Sequence, residues 1–463
     1  MNDTITAITT AVAAGQGSVA IIRISGEEAV LIAKTIIYKS YIKNWQSHRI
    51  LYGWVKNPYT DQFIDEVLVL VMLAPRSYTR EDIIEIQCHG GIIIAQKILD
   101  LIVYKGARIA KPGEFTLRAF LNGRLDLSQA ESIIAIVNAK SSKSAYLAMS
   151  NLRGKATKDI VYLKSQCLEI LSEVEFQIDF EEEEFTNKTI NIQNKISNLF
   201  QQVRKMLTEV SSNILINRGI NICILGKPNV GKSSLLNTIL DYEKSIVTDI
   251  SGTTRDIIEA EFLLGGIPIK LIDTAGLQNT NNLVEQIGIV KTQSVAQEAD
   301  LILLVIDIEK DWGNEEEEIL TKLRELPIII IINKVDLNSD KIRDINSKIP
   351  HNYLSNVDKV IFTSTIDYSG IDHLKSSIVQ VINEKILVGQ SSDKLSLNER
   401  QTYNLINTKK SLKKALYTID QGYPCDLWTI DLRKAINNLE EITGDRVTEL
   451  VLDNIFSKFC IGK

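Results

Sequence analysis

Residues 226–233 read Gly226-Lys227-Pro228-Asn229-Val230-Gly231-Lys232-Ser233, between the apolar run Ile220–Leu225 and the helical pattern Ser234–Leu240. In such a strand–loop–helix setting, G-x-x-x-x-G-K-S turns successive backbone N–H groups inward around phosphate oxygens, at the positive end of a helix. Asn229, Val230, Gly231 and Ser234 would line that loop. Lys232 would reach the β- and γ-phosphates, and the Ser233 hydroxyl would ligate Mg²⁺. The strand pattern Ile267–Ile272 then delivers Asp273-Thr274-Ala275-Gly276, whose aspartate stands where a nucleotidase holds Mg²⁺ through water. Between them runs Thr248-Asp249-Ile250-Ser251-Gly252-Thr253-Thr254, whose Thr254 would complete the Mg²⁺ shell when a γ-phosphate is bound.

After Ile328–Ile332 comes Asn333-Lys334-Val335-Asp336. A carboxylate there accepts from the N1–H and the exocyclic amine of guanine. Adenine lacks those donors and would leave it unpaired, so GTP is chosen over ATP. Four motifs in this order specify a GTP hydrolase. A base-contacting loop is expected at Ser364-Thr365-Ile366, after strand Val360–Thr363. Leu277 stands where Ras-like GTPases carry a water-orienting glutamine, so another group must place the nucleophile. Arg255, beside the switch loop, is a candidate internal arginine finger.

These residues need a scaffold. From about 217 to 385, apolar β-branched runs alternate with helical patterns, which predicts a doubly wound parallel sheet. Long helices are expected over 125–178 and 188–215, split by an acidic run at Asp179 and Glu181–Glu184, and again over 398–418, 427–443 and 445–459. Residues 1–120 mix strands (18–24, 64–73, 83–87) with helices (27–38, 92–104). The simplest organisation is an N-terminal α/β domain (1–120) and a helical domain in two parts (121–216 and 386–463). A GTPase domain (217–385) is inserted between those parts.

Composition narrows the class. Lys+Arg 52 against Asp+Glu 58 give a net charge of −6, which argues against a general DNA-coating protein. With 44% hydrophobic and 24% charged residues the chain is of the globular kind. The cysteines Cys88, Cys167, Cys223, Cys425 and Cys460 stand singly, so neither a zinc site nor a disulfide framework is expected. No apolar run approaches the ~20 residues of a spanning helix, and no basic leader precedes one, so a cytoplasmic chain without a membrane segment is expected.

The chain resembles the MnmE (TrmE) family of tRNA modification GTPases over essentially its whole length. The likeness rests on Ser77-Tyr78-Thr79-Arg80-Glu81-Asp82, on Glu85-Ile86-Gln87-Cys88-His89-Gly90-Gly91 and on the segment Pro112–Asn122. Leu125-Asp126-Leu127, the GTPase elements and the terminal Cys460-Ile461-Gly462-Lys463 complete it. The resemblance implies an α/β folate-binding-like N-terminal domain, a helical domain and a Ras-like P-loop domain inserted in it. It implies K⁺-activated GTP hydrolysis in a homodimer. It also implies a flavin-containing partner in a heterotetramer, which modifies the wobble uridine of certain tRNAs at carbon 5 with an aminomethyl or carboxymethylaminomethyl group. The one-carbon unit comes from 5-formyl- or 5,10-methylene-tetrahydrofolate.

By resemblance, Asn229, Thr248, Ile250 and Thr253 hold K⁺, which supplies the charge an arginine finger brings elsewhere. Glu285 matches the carboxylate that activates water. Arg23, Glu85, Arg124 and Lys463 match folate-contacting positions, and Cys460 is a candidate for chemistry. Read without the resemblance, Glu85 is the exposed face of a strand, His89 a turn cap and Cys460 a small buried hydrophobe. Lys409, Lys410, Lys413 and Lys414 form a basic helix face, either solvated or touching tRNA. The alternatives are a ribosome-assembly GTPase and a folate-dependent one-carbon transferase with a regulatory GTPase.

Overall fold

The structure is a computed structural model that describes residues 3–11, 17–38, 45–179, 185–242, 260–273, 299–310, 312–337, 349, 357–387 and 395–463. The chain divides into two compact units, one of residues 1–137, 149–200 and 404–463, the other of residues 138–148 and 201–403.

The first unit opens with strands β1 (Ile5–Ile8), β2 (Val19–Ser25), β3 (Ile37–Tyr38), β4 (Arg49–Lys56), β5 (Phe63–Met72), β6 (Ile83–His89) and β7 (Arg108–Ile109). Helices α1 (Ala29–Ile36), α2 (Ile92–Tyr104) and α3 (Glu114–Leu121) are interspersed. The strands lie in the order β3-β4-β5-β6-β2-β1-β7. All adjacent pairs are antiparallel except β1 with β7. One face, carrying Ile22, Ile24, Val67, Val69, Ile84 and Ile86, is covered by the apolar sides of α1 and α2. That leaves the other face for polar and aromatic side chains.

Helices α4 (Leu127–Val137), α5 (Ser142–Leu152) and α6 (Lys155–Asp179) occupy the stretch expected to be one helix. The expectation fails at two identifiable places. Ser141 Oγ accepts from the Ser144 N–H at 3.1 Å and caps a new start. Gly154 takes φ +83, a left-handed turn that ends α5 before α6 begins. Asp126 and Gln129 cap α4 reciprocally, backbone N–H to side chain at 2.8 and 3.0 Å.

Helix α7 (Phe185–Arg218) follows; residues 180–184 of the acidic run lie outside the described residues. Towards the C-terminus, α6 packs along the later helix Cys425–Thr443. Ile160, Leu163, Cys167 and Val174 on one side, and Leu432, Ala435, Leu439 and Ile442 on the other, are buried.

The second unit holds strands β8 (Ile220–Leu225), β9 (Ala260–Leu264), β10 (Ile267–Asp273), β11 (Leu301–Asp307), β12 (Ile328–Asn333) and β13 (Lys359–Thr363). Its helices α8 (Lys232–Tyr242), α9 (Asn314–Lys322) and α10 (Ile371–Val381) lie between and after them. The order β13-β12-β11-β8-β10-β9 is parallel except for β9. Alternate residues feed two cores. Ile222, Ile224, Leu303, Val305 and Ile331 meet Leu235 of α8 and Leu374 of α10. Cys223, Leu225, Ile302, Leu304 and Ile332 meet Leu320 of α9 on the opposite face. Burial on both faces explains why these strands read as unbroken apolar runs. The fold is therefore α/β in the N-terminal and P-loop regions and all-α elsewhere. The remaining α-helices among the described residues are α11 (Glu399–Asp420), α12 (Cys425–Thr443) and α13 (Glu449–Phe456). Helix α13 is shorter than the expected 445–459 because Gly444 is left-handed (φ +94) and Asp445 is engaged by Lys164 and Thr443.

Candidate functional site

The P-loop leaves β8 at Gly226, whose φ is +144 and where a Cβ would meet the Val305 carbonyl oxygen at 2.3 Å. A side chain there would break the strand–loop junction. Asn229 (φ 63) and Gly231 (φ +96) are also left-handed, and a Cβ on Gly231 would lie 2.4 Å from Asn333 Nδ2. Asn333 is thus packed directly beneath the loop. It is fully buried, its Nδ2 donates to the Val230 carbonyl at 3.0 Å, and its Oδ1 accepts from Thr363 Oγ1 at 3.2 Å. Strand order explains the contact, because β11, β12 and β13 end side by side in parallel register, Asp307 beside Asn333 and Asn333 beside Thr363.

Cations crowd the loop. Lys232 is buried, and its Nζ donates to the carbonyls of Gly226 (2.8 Å) and Lys227 (2.9 Å). Lys334 Nζ donates to the Asn229 carbonyl and to Asp307 Oδ2, both at 2.7 Å. Burial pushes the Asp307 carboxyl up, but the Lys334 ammonium and the Glu309 N–H outweigh it and hold it below its ordinary value. Lys310 Nζ donates to the Pro228 carbonyl at 3.1 Å, and Lys227 pairs with buried Glu316 at 2.8 Å. Such a loop is built to take a polyanion. Ser233 and Ser234 sit exposed in the first turn of α8, and Asp273 ends β10 opposite Ile224.

Asp336, the carboxylate expected to read guanine, is also held in place. Ser364 Oγ donates to Asp336 Oδ1 at 2.5 Å and accepts from the Ile366 N–H at 3.2 Å, so Ser364-Thr365-Ile366 closes on Asp336. Thr248, Asp249, Ile250, Ser251, Gly252, Thr253, Thr254, Arg255, Thr274, Ala275, Gly276, Leu277 and Glu285 lie outside the described residues. Asp307 was missed by sequence reasoning. Its signal was an aspartate ending an apolar run one strand before Asn333.

A second constellation lies on the open face of the N-terminal sheet. Arg23 on β2 faces Glu85 on β6 in register, and its Nε donates to Glu85 Oε1 at 2.8 Å. Its guanidinium lies 5.3 Å from the Tyr78 ring centre and 5.4 Å from that of Phe115, while Arg124 lies 4.8 Å from Tyr78. Tyr78 Oη and Thr116 Oγ1 share a 2.9 Å hydrogen bond, which fixes the ring. The C-terminal tail reaches the same place. Arg23 Nη1 donates to the Gly462 carbonyl at 3.5 Å, and a Cβ on Gly462 (φ +96) would meet the Ile8 oxygen at 2.8 Å. Arg23, Glu85, Arg124 and the residue before Lys463 are therefore brought together. Tyr78 and Phe115, not expected as site residues, supply the aromatic floor.

A charge cluster centred on buried Arg118 anchors the helix that carries Phe115. Arg118, 1% exposed, donates to Asp3 (2.8 Å), Glu81 (3.2 Å) and Glu114 (3.2 Å). The Arg108 hydrogen bond, with Arg118 beside it, holds Asp3 below its ordinary value against burial. Burial raises Glu114, but Arg108 and the Lys111 N–H bring it below. Three residue-level readings change. Glu85 is paired rather than a bare strand face. His89 Nδ1 contacts Asp65 Oδ1 at 2.7 Å instead of capping a turn, and that partner raises its pKa. Cys460 is exposed, whereas the other four cysteines are buried. Burial pushes the Cys88 thiol up to about 11 and that of Cys167 up to about 12.

Residues 4–124 match the family model described as GTP-binding protein TrmE N-terminus, and residues 127–460 match the MnmE helical domain. A tRNA modification GTPase MnmE of Trichormus variabilis is 45% identical over 460 residues, 99% of this chain and 98% of its own. One from Synechocystis is 44% identical over 463 residues, 100% of both chains. Among solved structures, a variant of Aquifex aeolicus Era bound to GDP.AlF4- is 26% identical at a TM-score of 0.30, covering 41% of this chain and 66% of that one. That likeness is too loose to build on. Similar to such relatives from end to end, and with its P-loop, Asp273 and Asn333-Lys334-Val335-Asp336 all at strand ends of one sheet, the chain belongs to the MnmE family of tRNA modification GTPases.

Proposed function

We propose that this chain is a K⁺-activated GTP hydrolase that works with a flavin-containing partner, in a heterotetramer, on the wobble uridine of certain tRNAs. Together they would add an aminomethyl or carboxymethylaminomethyl group at carbon 5, drawing the one-carbon unit from 5-formyl- or 5,10-methylene-tetrahydrofolate. The observation that carries this reading is the gathering of Arg23, Glu85, Arg124 and the C-terminal tail about Tyr78, in a chain that also reads guanine. Two guanidiniums beside an aromatic ring suit a ligand with a flat heterocycle at one end and carboxylates at the other. Glu85 would accept from the heterocycle's N–H groups, and Lys463 would add a cation from the tail. Cys460, exposed on the same tail, is the proposed reactive thiol.

On the nucleotide side, Lys232, Ser233, Asp273, Thr254 and Asp336 hold GTP and Mg²⁺ in this reading, and Glu285 orients the water. Asn229 holds K⁺ with Thr248, Ile250 and Thr253. It suits that role, because among the described residues its side-chain amide makes no hydrogen bond and its oxygen is left for a cation. The proposed domain limits are 1–120, 121–216, 217–385 and 386–463.

The homodimer finds support in the open face of β4 and β5, where Ile50, Tyr52, Trp54 and Leu68 are exposed side by side. A second copy would cover that apolar patch. Among the described residues no helix is long and apolar enough to cross a membrane, in keeping with action in the cytoplasm. The test is mass spectrometry of wobble nucleosides from cells lacking the gene, complemented by wild type, Arg23→Ala or Asp336→Asn. Modification should return with wild type alone. An accumulating ribosomal particle with modification intact would turn the reading to ribosome assembly.

A further inference from the structure

Helix α11 carries a feature that neither site uses. From Arg400 to Ile419 it has no Asp or Glu, in a chain whose net charge is −6. Leu405, Thr408, Leu412, Ala415 and Ile419 are buried, which fixes the helix's rotation. The opposite side presents Lys410, Lys413 and Lys414 exposed and Lys409 half-exposed, with the Tyr417 ring 61% exposed one turn further on.

A solvated helix face is ordinarily stitched by Glu–Lys pairs at i,i+4. Here the i,i+4 neighbours are like charges, Lys409 with Lys413 and Lys410 with Lys414, an arrangement that destabilises a helix. Among the described residues none of the four has a carboxylate partner. The acid that ends the helix, Asp420, is already engaged by Gln193 Nε2 at 2.6 Å. The lysines also stand too far from that end for the helix dipole to account for them, since its effect fades beyond the last turn.

Residues four apart on one helix face are separated by roughly 6 Å, about the spacing of successive phosphates along a strand. Two such rows followed by a bare tyrosine match a sugar–phosphate backbone with an unpaired base beside it, because every base offers a face for an aromatic ring to stack on. We propose that Lys409, Lys410, Lys413, Lys414 and Tyr417 of α11 form a docking surface for the backbone of the tRNA. The proposal rests on the tRNA-modification reading and adds the place of contact. The lysines bind phosphates without reading sequence, and Tyr417 stacks on a base lifted out of its helix.

The test is tRNA binding by the full chain across a salt series, with GTP hydrolysis as the control for folding. Replacing all four lysines with alanine should lower the slope of log affinity against log salt by roughly 3, at 0.7–0.9 per phosphate contact. Lys410→Glu with Lys414→Glu should weaken binding about tenfold or more at low salt, while hydrolysis stays unchanged. Tyr417→Ala should cost roughly tenfold and Tyr417→Phe little, since the ring and not the hydroxyl stacks.

Unchanged tRNA affinity in the charge-reversed chain overturns the proposal. So does a loss confined to anionic phosphatidylglycerol vesicles, which would assign the surface to lipid. Wild-type chain that binds no tRNA, in cells whose wobble modification still requires the gene, also defeats the surface but spares the reading beneath it. Modification that persists without the gene defeats the reading itself.

Discussion

The P-loop site and the Tyr78 site are built from different materials. Around Gly226–Ser233, Lys232, Lys334, Lys310 and Asn333 all donate to main-chain carbonyls, and left-handed residues set the shape of the loop. Around Tyr78 the partners are mostly side chains from four separate segments, Arg23, Glu85, Phe115 and Arg124, joined by the main-chain carbonyl of Gly462 in the tail. A main-chain site is fixed by which residues adopt which φ, and it grips any ligand of the right charge. A side-chain site is fixed by identity at each position, and every member is a separate point of failure. Selectivity in the first must come from the few side chains that would reach a ligand, and in the proposed reading Asn229 and Asp336 are those among the described residues.

The largest expected effect tests that claim. Hydrolysis should be faster in KCl than in matched NaCl, and Asn229→Gly, which keeps the left-handed φ but removes the amide, should lose that advantage. Loss of one preorganised charge-stabilising group costs on the order of 10²–10³-fold in rate. Steady-state rates in both salts check it. Equal rates with loss only in Arg255→Ala would replace the cation by an arginine.

Next in size, Asp336→Asn should weaken GTP binding by about 10²-fold and improve xanthosine triphosphate binding, because two charge-assisted hydrogen bonds to guanine are lost. Ser364→Ala should move GTP affinity in the same direction by only a few-fold, since it orients the acceptor without touching the base. Calorimetry reads both.

In the side-chain site, deleting Cys460–Lys463 should reduce tetrahydrofolate binding about tenfold and stop tRNA modification while leaving GTP hydrolysis intact. Loss of one charge-assisted hydrogen bond is of that order. A chain ending at Phe459 with undiminished folate affinity would show the tail to be a bystander.

The smallest effect concerns pH. Asp3 and Glu114 are held below their ordinary values, so the stability they lend is present above the unfolded values near 4 and is lost as pH falls through the folded ones. Asp3 and Arg108 are both nearly half exposed, which limits the Asp3 share to about 1 kcal/mol or less. Thermal unfolding of wild type and Asp3→Asn should therefore differ at pH 7, and the gap should narrow steadily as pH falls from the unfolded value through the lower folded one. A gap that did not narrow with falling pH would locate the stability elsewhere.

The same contrast decides what could be read from the residues alone. The nucleotide motifs are contiguous, so strand ends, loop and helix start were legible before any coordinates. The Tyr78 site is assembled from residues up to 439 apart in sequence, and only the family resemblance pointed to Arg23, Glu85 and Arg124. Tyr78 and Phe115 were missed because a lone aromatic carries no spacing signal. Strand β4 was missed because its exposed residues Ile50, Tyr52 and Trp54 are as apolar as its buried Leu51 and Val55, which hides the two-residue period. The break in the helix over 125–178 turned on one serine cap and one glycine, both of which helix patterns tolerate.

The packing of α6 along α12 also sets a schedule for synthesis. About 245 residues separate the end of one from the start of the other. At roughly 5–20 residues per second, a ribosome takes roughly 12–50 s to make them. Throughout that interval Ile160, Leu163, Cys167 and Val174 have been made and their α12 partners have not. The intervening P-loop sheet completes itself first, so the nascent chain carries a finished nucleotide-binding unit while half of a hydrophobic seam is still open. Chaperones that shield apolar helices on the ribosome should therefore engage this protein between α6 and α12, and release it only when the last helices emerge.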